Sequence, residues 1–216
     1  MKQAMRVVIA GFGPFPGAPF NPSAALAQAL SRRRRPALTG LARTAHVFAT
    51  AYAAVDRDLD TLFAAKPDAV LMFGLAAHRR HVCIETRARN AVSVLFADAD
   101  GYRPQSNVIA AGGPASRSGN APFTRLLAAA RTTAIPARLS RDAGRYLCNY
   151  AYWQALARAE RSGAAVAFVH IPHVRLKPAR RSKTANVSWP ELVRAGEAIL
   201  IALGSMRRSI TARPSS

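Results

Sequence analysis

Short, almost continuously apolar runs alternate along this chain with longer segments whose apolar positions recur at helical spacing. MRVVIAG at 5–11 is too short for a helix and reads as a buried strand. Asn21 then stands where a helix cap belongs, with Pro22 at the first helical position, where its missing N–H costs nothing, and SAALAQAL supplies good helix formers. A strand through 43–49, a helix near 53–65 and a buried strand at 68–73 follow. HVCIETRARN at 81–90 is strand-like, while residues from about 97 to 119 are rich in Gly, Pro, Ser and Asn and read as loop with short strands. A helix at 120–131, a strand at 135–140, a helix at 146–161 and a strand at 164–170 continue the alternation. The last helix opens with SWPE at 188–191, whose Ser188 and Glu191 have capping-box spacing. The pattern predicts an α/β fold, a three-layer αβα single domain with a largely parallel central sheet. No repeat or linker interrupts it, so the domain is expected over 1–204, with a basic C-terminal tail over 205–216.

Composition narrows this picture without selecting a function. A chain of 216 residues, half of them apolar, can bury one substantial core. No apolar stretch reaches the roughly 18 residues of a membrane span, so no membrane role is expected. Cys83 and Cys148 are too few for a disulfide framework, and the first residues read as a strand rather than a signal peptide. A cytoplasmic, reducing location is expected. The net charge of +20 raises a competing reading, because basic chains often bind nucleic acid. The arginines are scattered, however: Arg32 to Arg35 close the first helix and complement its negative end, Arg79, Arg80, Arg87 and Arg89 flank Glu85, and a third group runs from Arg175 to Arg181. No zinc-finger spacing, aromatic RNA-binding strand or recognition helix accompanies them. A solvated basic surface is therefore preferred, with a nucleic-acid-binding protein kept as the non-enzyme alternative.

The candidate chemistry begins at AGRYLCN, residues 143–149, which sets Cys148 behind a glycine turn at the start of a helix. Backbone N–H groups there lack intrahelical partners and carry partial positive charge, so the position predicts a thiol pKa pulled below its ordinary value. FVHIP at 168–172 ends an apolar strand with His170, and Glu85 lies alone in its strand-like run. A thiol, an imidazole and an acid on separate elements form the minimal nucleophile, base and orienter set. Taken singly, a lone Cys preceded by Tyr and Leu is ordinarily packing. The other glutamates, Glu160, Glu191 and Glu197, fall on predicted helices among polar neighbours and read as solvated charges. His78, His81 and His173 have no coherent ligand set around them, so no metal or cofactor is expected, and His46 reads as structural.

Five motifs together resemble those of the type I pyroglutamyl peptidases, also called pyrrolidone-carboxylate peptidases. GFGPFPGAPFNPS at 11–23 resembles the family's N-terminal motif, PDAVLMFGLA at 67–76 its third strand and turn, and DADG at 98–101 an Asp-Asn-Glu-Gly stretch. IPARLSRDAGRYLCN at 135–149 resembles the run through the family's catalytic cysteine, and FVHIP the run through its histidine. The resemblance implies a cysteine peptidase that removes an N-terminal pyroglutamyl residue through a thioester acyl-enzyme. It gives Cys148 the nucleophile's role, His170 that of ion-pair partner and acid, and Glu85 that of orienter. Phe12, Phe15 and Tyr146 would then face the flat, neutral lactam, with backbone groups of Leu75 beside it. N-terminally pyroglutamylated peptides are the implied partners, and a homo-oligomer is allowed. The chain departs from the pattern at Leu95, where the family has an arginine, at Gly13, and at AHRR, residues 77–80, which replaces a glycine-containing turn. These departures leave two alternatives: a related cysteine amidase of another cyclic or blocked substrate, and a weakly active family member.

Overall fold

A computed structural model describes residues 3–15, 18–175 and 187–206. In chain order the first half runs β1 (Met5–Phe12), α1 (Pro22–Arg32), β2 (Leu41–Phe48), α2 (Tyr52–Ala64), β3 (Ala69–Leu75), β4 (Val82–Glu85) and β5 (Arg87–Arg89). The second half runs β6 (Ser116–Ser118), α3 (Phe123–Arg131), β7 (Ala137–Ser140), α4 (Leu147–Ser162), β8 (Ala165–Ile171), β9 (Val174–Arg175), β10 (Val187–Ser188) and α5 (Trp189–Gly204). The basic loop expected to reach Arg181 and most of the expected tail, 176–186 and 207–216, lie outside the described residues. Among the described residues no helix is long and apolar enough to cross a membrane.

Alternate residues of a strand point to opposite faces, and here both faces are apolar, so the strand runs are continuous rather than alternating. Val7 and Ile9 of β1, Leu71 and Phe73 of β3, and Ala167 and Val169 of β8 join one core with Leu26 and Leu30 of α1, Leu126 of α3 and Leu200 of α5. Val8, Ala10, Val70, Met72, Val166 and Phe168 point the other way, into a second core with Val55 and Leu59 of α2 and Tyr152 and Leu156 of α4. Two cores with a sheet between them make the three-layer αβα domain expected from the sequence.

The sheet has the order β2-β1-β3-β8-β4-β7. The first four strands run parallel, β4 and β7 run parallel to each other, and the two blocks meet antiparallel between β8 and β4. The reversal brings Glu85, at the end of β4, opposite Phe168, and Cys83 opposite His170. From β1 the chain moves outward to β2 and then crosses to β3 on the other side, a change of winding that leaves a crevice at the carboxyl ends of β1 and β3.

Helix ends follow their local signals. Asn21 caps α1 by accepting from the Ser23 N–H at 3.1 Å, with Pro22 inside the first turn. Ser188 and Glu191 form the capping box of α5. Two expectations change. Arg33 and Arg35 reach across to Glu197 on α5, at 2.8 and 3.0 Å, rather than serving only the end of α1. Glu197 is correspondingly buried, not solvated: the helix it sits on packs against α1, and two guanidiniums compensate its charge.

Candidate active site

The carboxyl ends of β1, β3 and β8 and the first turn of α4 enclose a cavity of about 290 Å³. Phe12, Phe15, Leu75, Tyr146, Cys148 and His170 all line it. Glu85 stands behind His170, fully buried. Gly11 and Gly74 lie within β1 and β3, whose pairing runs on to Phe12 and Leu75.

Each side chain is held by its element. Gly144 has a positive φ of 84°, a turn that a side chain would strain, and it delivers the chain to α4, where Cys148 is the second helical residue. Asn149, fully buried, then clamps that first turn: its Nδ2 donates to the carbonyls of Arg89 and Ala91 at 2.8 and 2.9 Å, and its Oδ1 accepts from the Arg89 N–H at 2.9 Å. Below the sulfur lies Gly74. A Cβ there would stand 2.8 Å from Cys148 Sγ and 2.8 Å from Phe168 Cζ, so only glycine lets the cysteine side chain settle against β3.

His170 is 5% exposed and packs its ring on Phe168, with centroids 5.0 Å apart. Its Nδ1 lies 2.9 Å from Glu85 Oε1. With Nδ1–H donating to that carboxylate, Nε2 is the ring nitrogen left to handle protons in the cavity. The same Oε1 accepts from Arg79 Nη1 at 2.9 Å, while Arg79 Nη2 donates to the Asp142 carbonyl at 3.1 Å. Glu85 Oε2 is buried with no hydrogen-bond partner among the described residues. Tyr152 donates its hydroxyl to the Glu85 carbonyl at 3.0 Å, tying α4 to β4.

The lowered thiol pKa expected at the helix start is not found. Burial, with the Glu85 carboxylate adding to it, pushes the Cys148 thiol up to about 12. Desolvation and the negative charge of Glu85 nearby both favour the neutral form and outweigh what a helix start offers a thiolate. Cys83, 1% exposed, is raised by burial too, with Arg79 opposing.

The wall of the cavity is aromatic. Phe12 packs against Phe48 and Phe168 at 5.4 and 6.3 Å, and Phe15 faces Tyr146 at 6.5 Å. The Asn-Pro-Ser stretch holds this loop: Ser23 Oγ accepts from the Phe12 N–H at 3.0 Å, and Asn21 Nδ2 donates to the Gly13 carbonyl at 3.1 Å. Thr50 Oγ1 adds a bond to the Pro14 carbonyl at 3.1 Å. Leu95 does not line the cavity; it is 73% exposed on the loop before Phe96. His46 is held by Asp58 at 3.0 Å and by the Phe48 ring. No group of three His, Cys, Asp or Glu side chains able to hold a metal occurs among the described residues.

Sequence reasoning missed Arg79 and Asn149. Arg79 was noted only among the scattered arginines flanking Glu85 and, within AHRR, as a departure from the family turn; neither gave it a part in the site. Asn149 directly follows Cys148 inside AGRYLCN, and a buried amide at a helix start was the available signal.

An α/β sheet whose carboxyl ends gather a cysteine, a histidine and an acid around one cavity has the constitution of a thiol hydrolase. The family described as Pyroglutamyl peptidase matches residues 5–204, and the chain belongs to it. The pyrrolidone-carboxylate peptidase of Cupriavidus pinatubonensis is 32% identical over 192 residues, covering 87% of this chain and 88% of that protein. The Gloeobacter violaceus protein of the same name is 30% identical over 203 residues, covering 93% and 98%. Among solved structures, the Thermococcus litoralis pyrrolidone carboxyl peptidase superposes with a TM-score of 0.82 at 24% identity, covering 95% of this chain and 96% of its own. Pyroglutamyl peptidase I of Bacillus amyloliquefaciens gives 0.81 at 23%, covering 93% and 97%. These two show the fold. The relatives give no support to a nucleic-acid-binding role or to an amidase of another class.

Proposed function

We infer that this chain is a cysteine peptidase that releases N-terminal pyroglutamate from peptides. The single observation that carries the reading is one cavity lined by both Cys148 and His170, with Glu85 bonded behind the imidazole. A neutral lactam needs aromatic faces and backbone hydrogen bonds rather than a charge, which fits Phe12, Phe15 and Tyr146 with the backbone of Leu75 beside them.

The raised thiol pKa selects the order of steps. With the thiol pushed up by burial, His170 Nε2 accepts its proton as the sulfur attacks the amide carbonyl carbon. Glu85, holding Nδ1–H, stabilises the imidazolium that forms. First-turn N–H groups of α4, that of Cys148 included, are the donors at hand for the oxyanion. When the C–N bond breaks, the imidazolium gives its proton to the departing amine and a thioester remains. Water then attacks the thioester with His170 again as base, freeing pyroglutamate and restoring the thiol. Both cysteines are free of disulfides, which suits a reducing interior, and we place the activity in the cytoplasm.

A chromogenic pyroglutamyl amide tests the reading: the parent protein should release the chromophore and Cys148→Ser should not. Alkylation of the free enzyme by iodoacetamide refines it. With a thiol pKa near 12, labelling of Cys148 should rise about tenfold per pH unit from neutral pH upward, since only the thiolate reacts. A rate independent of pH between 6 and 8 would instead mean a preformed thiolate–imidazolium pair.

A further inference from the structure

The cavity that holds Cys148 and His170 has a floor and a rim of different character. Phe12, Thr50, Leu75, Leu147 and His170 line it and are buried, whereas Ala77, His78, Gly144 and Arg145 line it and are exposed, so these stand where it meets solvent. A space of about 290 Å³ is at the small end of ligand pockets, so a peptide whose first residue fills the floor runs out across the rim. Besides His170, three basic side chains line the cavity, His78, Arg79 and Arg145, and no aspartate or glutamate does.

Arg145 is the arginine of this region whose charge is uncommitted. Arg79 is bound to Glu85 and to the Asp142 carbonyl. Arg87 Nε donates to the Arg141 carbonyl at 3.0 Å, and Arg89 pairs with Asp142 at 3.4 Å. The side chain of Arg145 makes no hydrogen bond or ion pair among the described residues. Its backbone, by contrast, is pinned on both sides. The Gly144 N–H donates to Asp142 Oδ1 at 3.1 Å, the Arg145 carbonyl accepts from the Ser93 N–H at 2.7 Å, and α4 begins two residues later. A guanidinium stays charged at any working pH and offers five N–H donors in a fork that matches a carboxylate.

Three residues separate Arg145 from Cys148, so their Cα atoms stand at most about 11 Å apart. An arginine side chain and a substrate residue just beyond the scissile amide can meet within that span. We propose that Arg145 selects for a carboxylate on the residue that follows the scissile bond, carried by its side chain or as the free α-carboxyl of a dipeptide. The proposal rests on the peptidase reading and names the leaving-group preference that reading leaves open.

The test measures kcat/KM for pyroglutamate release from two pairs of peptides, in the parent protein and in Arg145→Gln. Pyroglutamyl-glutamate and pyroglutamyl-glutamine, both with amidated α-carboxyls, isolate the side chain; pyroglutamyl-alanine and its amide isolate the α-carboxyl. Dividing each acid-to-neutral ratio in the parent by the same ratio in the variant cancels differences in leaving-amine basicity and any general loss of activity. The quotient should be about fivefold at low salt for the source that Arg145 reads, the scale of an exposed ion pair. In 1 M salt, where the screening length is about 3 Å, it should fall below about twofold. Quotients below about twofold for both pairs at low salt overturn the proposal. That is also the result if the overall charge of +20, rather than this one side chain, attracts the carboxylate. The chromogenic pyroglutamyl amide, which carries no carboxylate, separates the two claims: turnover there with flat quotients sinks the preference alone, and no turnover sinks the peptidase reading with it.

Discussion

The sheet has a cavity at each end, and the larger one lacks the chemistry. At the amino ends of β1, β3 and β8 a space of about 880 Å³ is bordered by Arg6, Asp60, Lys66, Asp68, Arg158 and Arg161. Its charges pair with each other in reach of water: Arg6 with Asp68, and Arg158 with Asp60, whose side chain is 71% exposed. Such pairs contribute about 0–1 kcal/mol and hold no group in an unfavourable state. The carboxyl-end cavity is a third of that size, yet it keeps a fully buried carboxylate with one oxygen unpartnered, a buried histidine and a thiol pushed out of its ordinary range. Burying polar groups that way is unfavourable by several kcal/mol unless other contacts offset it, and it occurs where chemistry uses them. Volume therefore points to the wrong end of this molecule, and buried, over-determined polar groups point to the right one.

The comparison breaks most directly at His170. His170→Ala removes both the acceptor for the thiol proton and the donor to the leaving amine, so kcat/KM should fall by about 10⁴-fold or more. Glu85→Gln keeps the ring in place but loses the charge that supports the imidazolium, and should lose about 10³-fold. Near-parent activity in His170→Ala would transfer the base's role to another histidine and dissolve the proposed set.

Gly74 comes next. A Cβ at this position meets the Cys148 sulfur and the Phe168 ring at 2.8 Å, and neither can retreat far inside a packed face. Displacing Sγ by a fraction of an ångström should lower kcat about 100-fold while KM moves little, since the rings proposed to face the lactam are elsewhere. Thermal unfolding of Gly74→Ala should register a loss of about 1–3 kcal/mol from overpacking. Full activity would show that Sγ does not rest on β3 during turnover.

How much of this was legible beforehand follows from what each signal encodes. Continuous apolar runs located β1, β3 and β8 within a residue or two, because strands covered on both faces need no polar alternation. The Asn21 and Ser188 caps were readable because capping is local. Strand direction was not: β4 and β7 carry the same kind of apolar residues whichever way they run, so the antiparallel junction that sets Glu85 beside His170 left no mark in the pattern. Glu197 was misread for a similar reason, since its arginine partners lie 162 and 164 residues away in sequence, on the far side of a fold. The Cys148 pKa was misread because the helix terminus is a local feature, whereas the burial and the Glu85 charge that outweigh it are assembled from β3, β4 and β8.

Arg79 is the residue that long-range assembly added, and its removal should have a moderate effect. The guanidinium shares Glu85 Oε1 with His170 and is anchored by the Asp142 carbonyl, so it fixes where the carboxylate sits. Arg79→Met keeps the aliphatic stem and should lower kcat about tenfold with KM nearly unchanged, the pattern of a positioning residue. Arg79→Lys should recover part of that loss, as a point charge without the forked geometry. A change confined to KM would place Arg79 against the substrate instead of behind the acid.

The smallest effect is expected at the other end of the sheet. Arg6 is the second residue of β1, six residues before Phe12, and its side chain pairs with Asp68 at 4.0 Å and donates to the Ala65 carbonyl at 3.0 Å. Half-exposed contacts of this kind are screened by salt, so Arg6→Gln should cost under about 1 kcal/mol in thermal unfolding and leave kcat/KM within about twofold. The backbone bond from the Arg6 N–H to Asp68, at 2.7 Å, survives the change and keeps the strand in register. A large loss of activity with stability retained would mean that the amino-end cavity communicates with the catalytic one through β1, and the division of the molecule into a chemical end and an inert end would then be wrong.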